Sequence, residues 1–259
     1  MEFESLITTR TIITDIPLEF DIADVFRKTP LRKILTGFES QVVACYYQNQ
    51  YKGDEFEKKK TGSFRNAVNI IILNNQKKLN LKLSTNGNFQ ITGCKNLQMV
   101  QSSLQYLLHL LHDSCPEAIK GWKNNLNVEV KMVMTNIVFD IGFQIDKIKL
   151  NKLLRQNKNF YSLFETNFGY TGMNIKIPLP EDAYYVSIPF MRLQNNQWIV
   201  SYQKMRVPTK KKKFNTFLVF HSGKIIMSGM CEENMKKDYQ FFKTFLIQNR
   251  KSIEEVIEI

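Results

Sequence analysis

Cysteine is scarce and histidine scarcer: four Cys (Cys45, Cys94, Cys115, Cys231) and three His (His109, His112, His221) in 259 residues. No two cysteines form a C-x-x-C pair and no histidine stands near one at ligand spacing, so no zinc site is implied. The thiols read as free, in a reducing compartment. His109 and His112, at i and i+3, read as a half-buried helix face. Long apolar runs are missing too; none approaches the roughly 20 residues of a membrane span, and no membrane partner is expected. The opening Met1-Glu2-Phe3-Glu4-Ser5 has no apolar core, so no secretory signal is expected, and the chain reads as soluble and intracellular. Acid is in deficit, 24 Asp+Glu against 36 Lys+Arg, for a net charge of +12. That excess suits a polyanionic partner, although solvated basic surface gives the same balance. No paired carboxylates and no Ser/His or Cys/His constellation mark a catalytic centre. Neither cofactor, metal nor small-molecule substrate is implied.

What is present is a duplication. Leu81 to Cys94 and Phe217 to Met230 each alternate with period two up to a turn glycine, Gly87 or Gly223, then alternate again up to Gly93 or Gly229. The two hairpins lie 136 residues apart, and each is followed by a helical segment with Met at the same offset, Met99 and Met235. With an offset of 125, Thr11 to Asp21 lies against Asn136 to Asp146. Both stretches are strand-like, and each ends in an Asp placed to cap a short helix, Asp21 to Lys28 and Asp146 to Leu154. Two copies of strand–helix–strands–long helix predict an α+β protein, with helices on one face of an antiparallel sheet. The first repeat runs over 1–116, with a loop insertion at about 49–63. The second runs over 117–259, with an insertion at about 178–213.

Further strands are expected at Gln41–Gln48, Ala67–Leu73, Gly172–Ile177 and Trp198–Lys204, with Pro178, Pro180 and Pro189 breaking the ladder between the last two. Gln50 to Gly62 reads as an exposed loop. Long helices are expected at Asn96–His112 and Glu232–Arg250. The stripe Met235, Tyr239, Phe242, Leu246 reads as packing against the sheet.

Phe217-Leu-Val-Phe-His-Ser-Gly-Lys-Ile-Ile-Met-Ser-Gly229 resembles the hairpin of the TATA-box-binding proteins, and Met134-Thr-Asn-Ile-Val138 resembles their first-strand motif. The similarity returns more weakly in copy one and runs from about Thr9 to Arg250. The divergence and the Asn/Lys/Ile-rich composition resemble the versions found in large DNA viruses or protists. The resemblance implies a curved antiparallel saddle of two pseudo-symmetric repeats, with helices on the convex face and A·T-rich double-stranded DNA beneath. It also implies a transcription factor of the IIB class and RNA polymerase as partners. The place of action would be the nucleus, or a cytoplasmic replication factory if the chain is viral.

The resemblance further assigns site residues. In copy two, Leu218, Phe220, Ile226 and Ser228 take the DNA-facing parity, Phe220 as a wedge and Tyr170 as its partner. Lys176 and Lys224 match phosphate-contacting positions, and Asn136 the asparagine that bonds base-edge acceptors, with Val138 beside it. In copy one, Thr11 stands for the central asparagine with Ile13 near it, Ser84 for the wedge and Lys82 for the leucine. Gln90 and Thr92 fall on the DNA-facing parity, and Lys95 keeps a terminal lysine. Phe38 is the candidate for the remaining wedge, with Phe64 competing. Taken singly, Phe220 and Tyr170 read as core aromatics and Asn136 as an edge polar; the constellation points to DNA. Lys210–Lys213 reads as a solvated run near the phosphates or a partner.

Three readings follow. The first is a TATA-box-binding-protein-like initiation factor that bends promoter DNA. The second is a saddle-shaped protein–protein scaffold, which the polar first copy would suit. An enzyme with a saddle-shaped accessory domain is the third, disfavoured because both repeats consume the chain.

Overall fold

In an antiparallel pair, residues directly opposite one another share a face of the sheet, so strand register shows whether two halves of a chain are built alike. A computed structural model of the chain describes residues 2–53, 66–123, 125–163, 172–180, 185–194, 197–206 and 212–255. From the N-terminus come β1 (Ile7–Asp15), β2 (Glu19–Phe20), α1 (Ile22–Lys28), β3 (Ser40–Tyr47), β4 (Gln50–Gly53), β5 (Ala67–Asn74) and β6 (Lys77–Ser84). Then follow β7 (Asn88–Cys94), α2 (Leu97–Ser114), β8 (Ile119–Lys120), β9 (Leu126–Asp140), α3 (Lys147–Arg155), β10 (Tyr161–Leu163) and β11 (Gly172–Pro178). The remainder is β12 (Tyr185–Gln194), β13 (Gln197–Arg206), β14 (Phe214–Phe220), β15 (Lys224–Gly229), α4 (Glu232–Gln248) and α5 (Arg250–Ile253).

The chain divides into two compact units. The first comprises Thr9–Val133 with Ser187–Gln203, the second Met1–Thr8, Met134–Val186 and Lys204–Ile259. Strands β1 and β9 each pass from one unit into the other, so the units follow different boundaries from the sequence repeats.

Within the first unit the strand order is β1-β7-β6-β5-β3-β4, all antiparallel. Alternate residues of β6 (Leu79, Leu81, Leu83) and β7 (Phe89, Ile91) are fully buried. They share one apolar cluster with Leu104, Leu107, Leu108 and Leu111 of α2. Asn96 caps that helix, its Oδ1 accepting from the Met99 amide at 2.9 Å. Asp21 caps α1 by accepting from the Asp24 amide at 3.0 Å.

The second unit repeats the plan in the order β10-β11-β14-β15-β9. Met173, Ile175, Phe217, Val219, Ile225 and Met227 are buried beneath α4, with Met235, Tyr239, Phe242 and Leu246. The Phe217 and Phe242 rings lie 4.4 Å apart between centroids, a contact worth about 0.5–1.5 kcal/mol beyond its area. Asp146 caps α3, accepting from the Ile148 and Lys149 amides at 2.9 and 3.0 Å.

The two turns match atom for atom. Ile16 N–H donates to the Gly87 carbonyl and Phe20 N–H to the Thr85 carbonyl; Ile141 and Ile145 repeat this with Gly223 and His221. Gly87 and Gly223 hold φ of +79° and +86°, in the left-handed region. The chain reversal explains why the strand-like runs stop short: β1 ends at Asp15 and β9 at Asp140, where each strand closes on its hairpin turn.

Two expectations need correction. Gln50–Gly53 is not loop but a strand on the edge of β3; residues 54–65 lie outside the described set. Nor do the prolines keep the stretch before Trp198 out of the sheet, because Tyr185–Gln194 is a strand that pairs with β13 and β9. Pro189 precedes the part of β12 in register with β9, Phe190↔Glu129 to Leu193↔Leu126, so no bond of that register needs its missing amide.

A buried polar pair sits on the helix side of the second unit. Asn215 Nδ2 donates to Asp238 Oδ2 at 2.7 Å. Burial pushes the Asp238 carboxyl above the ordinary carboxylate range, and the Asn215 bond offsets this in part. A carboxyl raised in the folded state leaves stability full below its unfolded pKa and lowers it as pH rises through the folded pKa. Asp238→Asn should therefore match the native chain in strong acid and exceed it at neutral pH. Denaturant midpoints measured at both pH values check this.

Candidate nucleic-acid interface

The parity that faces away from the helices carries the candidate residues. In the second unit the register sets Val138 opposite Ile226, Ile226 opposite Leu218, and Leu218 opposite Asn174. A neighbouring row runs Asn136–Ser228–Thr216–Lys176–Tyr161. All of these are half-buried save Tyr161, which is 55% exposed. The flanking core parity, by contrast, is sealed: Phe217, Val219, Ile225 and Met227 are 0% exposed. Asn136 is fixed by Ser228, whose Oγ donates to its Oδ1 at 2.7 Å, and its backbone carbonyl accepts from Thr8 Oγ1 at 3.1 Å. That leaves the Asn136 amide nitrogen oriented as a donor. Asn174 Oδ1 is buried and has no hydrogen-bond partner among the described residues.

Phe220 closes β14 opposite Gly172. A Cβ on Gly172 would come within 2.6 Å of Leu218 Cδ1 and 3.4 Å of Phe220 Cε1, so both side chains fold over the bare glycine backbone. This places Phe220 on the outer face, away from α4. Lys176 Nζ lies 5.8 Å from the Phe214 ring centroid, a cation–π contact that supports its stem, and Lys224 is exposed at the hairpin turn. Tyr170 and Phe64 lie outside the described residues, as do Lys210 and Lys211; Lys212 and Lys213 are exposed just before β14.

Copy one repeats the register with different chemistry. Its rows are Ile13–Gln90–Lys82–Asn69–Tyr46–Tyr51 and Thr11–Thr92–Asn80–Ile71. Thr11 thus meets Thr92 as Asn136 meets Ser228, and Ile13 meets Gln90 as Val138 meets Ile226. Thr11 is nonetheless 8% exposed, beside a register shift between Arg10 and Thr11. Ser84 pairs with Ala67, where copy two has Phe220 on Gly172. Lys95 is exposed just before the α2 cap.

Phe38 is not brought to this face. Its ring packs against Tyr106 and His109 of α2, at centroid distances of 5.9 and 5.6 Å. The reason is Tyr106, whose buried hydroxyl donates to the Lys33 carbonyl at 2.7 Å and accepts from the Val42 amide at 3.3 Å. Those bonds hold the 33–42 segment on the helix side.

The register adds residues that periodicity alone missed. Asn69 and Asn174 occupy equivalent positions, each opposite the residue that aligns between hairpins, Lys82 and Leu218. Tyr46 and Tyr51 pair at 4.8 Å between centroids at the end of the polar row. Burial, and then the neighbouring Tyr51, hold the Tyr46 phenol above its ordinary pKa, so it stays a neutral donor. Among the described residues no cluster of His, Cys, Asp or Glu is arranged to hold a metal, and no helix is long and apolar enough to cross a membrane. Burial pushes the Cys45 and Cys94 thiols up to about 12, leaving them inert packing groups.

Comparison with known proteins agrees with this geometry. No protein-family model matches the chain. It is 27% identical over 204 residues to uncharacterised protein 335L of Invertebrate iridescent virus 6, covering 71% of this chain and 61% of that protein. It is 24% identical over 202 residues to a TATA-box-binding-protein-like protein of Acanthamoeba polyphaga mimivirus, covering 72% of this chain and 48% of that one. The matches thus span about half to three-fifths of those relatives' length. Among solved structures, the TATA-box-binding protein of Methanococcus jannaschii superposes with a TM-score of 0.50 at 15% identity, over 93% of this chain and 97% of that one. That superposition establishes the fold. By fold the chain is TATA-box-binding-protein-like, and in sequence it is similar to the viral TATA-box-binding-protein-like protein.

Proposed function

We propose that the chain is a non-enzymatic factor that binds and bends A·T-rich duplex DNA through the minor groove and recruits the transcription machinery. The observation that carries this reading is Phe220 with Leu218 over Gly172, on the outer parity beside Asn136 and Val138. A shallow apolar surface gains from contact with a widened A·T groove, and an aromatic at its margin can pry a base step open. Asn136 supplies a donor for the acceptors that both A·T orientations present there. Recruitment of a factor of the IIB class and RNA polymerase, in a nucleus or a viral replication factory, belongs to the same proposal.

Lys176 and Lys224 take the phosphates in this reading. Each Lys→Ala change should lower the slope of log affinity against log salt by about 0.9 while leaving base preference unchanged. Mobility shift of an A·T-rich duplex across a salt series reads that slope. The polar first-unit row favours a second reading, a protein–protein scaffold with little DNA affinity of its own. Absence of any shift at low salt would select the scaffold.

A further inference from the structure

The two equivalent rows differ in a way that bears on base choice. The second unit presents Val138, Ile226 and Leu218, all aliphatic. The first presents Ile13, Gln90 and Lys82 at the equivalent register; beyond them Asn69 answers to Asn174, and the phenols of Tyr46 and Tyr51 close the row. Only Ile13 of that row is aliphatic, and it is 38% exposed. In the minor groove a G·C pair differs from an A·T pair chiefly by the guanine 2-amino donor.

Pressed under aliphatic side chains, that amino group loses its water and gains no acceptor, at a cost of about five- to a hundredfold in affinity. Under Gln90, where the second unit has Ile226, it meets a side-chain amide oxygen, and the donor is satisfied. At the Gln90 position the first unit therefore offers guanine an acceptor where the second presents Ile226.

We infer that the first unit accepts a G·C pair by hydrogen bonding from the guanine amino group to Gln90, while the second unit, with Ile226 at that position, demands A·T. The preferred site is then chemically directional, and the chain binds it in one orientation. The inference rests on the duplex-binding reading above.

The test uses the full chain and a duplex selected from a randomised pool. A single G·C pair is introduced in each half in turn, and its guanine is then replaced by inosine, which lacks the 2-amino group. In one half guanine should weaken binding and inosine restore it. In the other, guanine should be retained and inosine should weaken binding about three- to tenfold, the worth of one neutral hydrogen bond. In the Gln90→Leu variant, inosine should become restorative in that second half also, which assigns it to the first unit. The native-chain comparison stands even where the variant does not fold. Binding that improves with inosine in both halves, or a selected pool that is A·T throughout, overturns the inference and leaves duplex binding intact. Failure to bind any duplex removes both.

Discussion

Replacing Asn136 and Phe220 together by alanine is expected to yield a folded chain that no longer bends duplex DNA. Both side chains lie on the outer parity, half-buried, whereas the residues that hold α4 to the sheet occupy the other. Truncation there should cost stability only about 1 kcal/mol per site, the centre of the range for point changes. The loss in binding should be far larger. Phe220→Ala removes the group that would repay base unstacking, worth a few kcal/mol per step, and Asn136→Ala removes a base-edge donor. Together they should weaken binding at least about a hundredfold, two factors of ten at about 1.4 kcal/mol each. Melting temperature and duplex affinity, measured on one preparation, separate the two effects. A variant that melts early and binds poorly would show Phe220 to be a core residue after all.

The second large effect lies in the hairpin turns. Gly223→Ala puts a Cβ 2.3 Å from the Phe143 carbonyl oxygen, and Gly87→Ala puts one 2.1 Å from Ile16 O and 2.5 Å from Leu18 O. These obstacles are backbone atoms, which cannot swing aside as a side-chain tip can. Each change also forces an L side chain into the left-handed region, at about 1–2 kcal/mol, and overpacking adds about 1–3 kcal/mol. A loss of about 2–5 kcal/mol is expected for each, read from denaturant midpoints. Gly87 meets two backbone oxygens where Gly223 meets one, so the Gly87 loss should be the larger. Alanine at Gly142, whose added Cβ would meet nothing within 4 Å, shares the positive φ of +79° without the crowding and should cost only the backbone share.

Much of this architecture is legible in the sequence because it rests on local rules. Asp21, Asp146 and Asn96 announce helix starts through their capping carboxylates and amide, and the caps form. The stripe Met235, Tyr239, Phe242, Leu246 announces its buried face. Alternation in Phe217–Phe220 separates Phe217 and Val219 from Leu218 and Phe220, as the burial pattern confirms. What stays hidden depends on pairing. One extra residue in β3, between Val42 and Ala44, shifts the phase so that Tyr46 meets Asn69 on the outer face instead of a core position. No periodicity in Gln41–Gln48 reveals that step, so the Tyr46–Tyr51 pair and the Asn69 register were invisible. Phe38 misled for a related reason: a Gly-Phe pair before a strand resembles a wedge loop, but the Tyr106 hydroxyl anchors its segment to the helix. Proline likewise hid β12 between the expected strands: Pro189 lies just before the residues of β12 in register with β9.

Every functional statement above depends on side chains averted from the helices entering a groove and deforming it. Fluorescence transfer between dyes at the two ends of a short A·T-rich duplex reads that deformation directly. Adding the native chain should raise transfer in low salt, with the rise fading as salt is increased and absent for the Asn136→Ala/Phe220→Ala variant. A duplex that is bound with its ends no closer, or closed equally by that variant, would contradict the account.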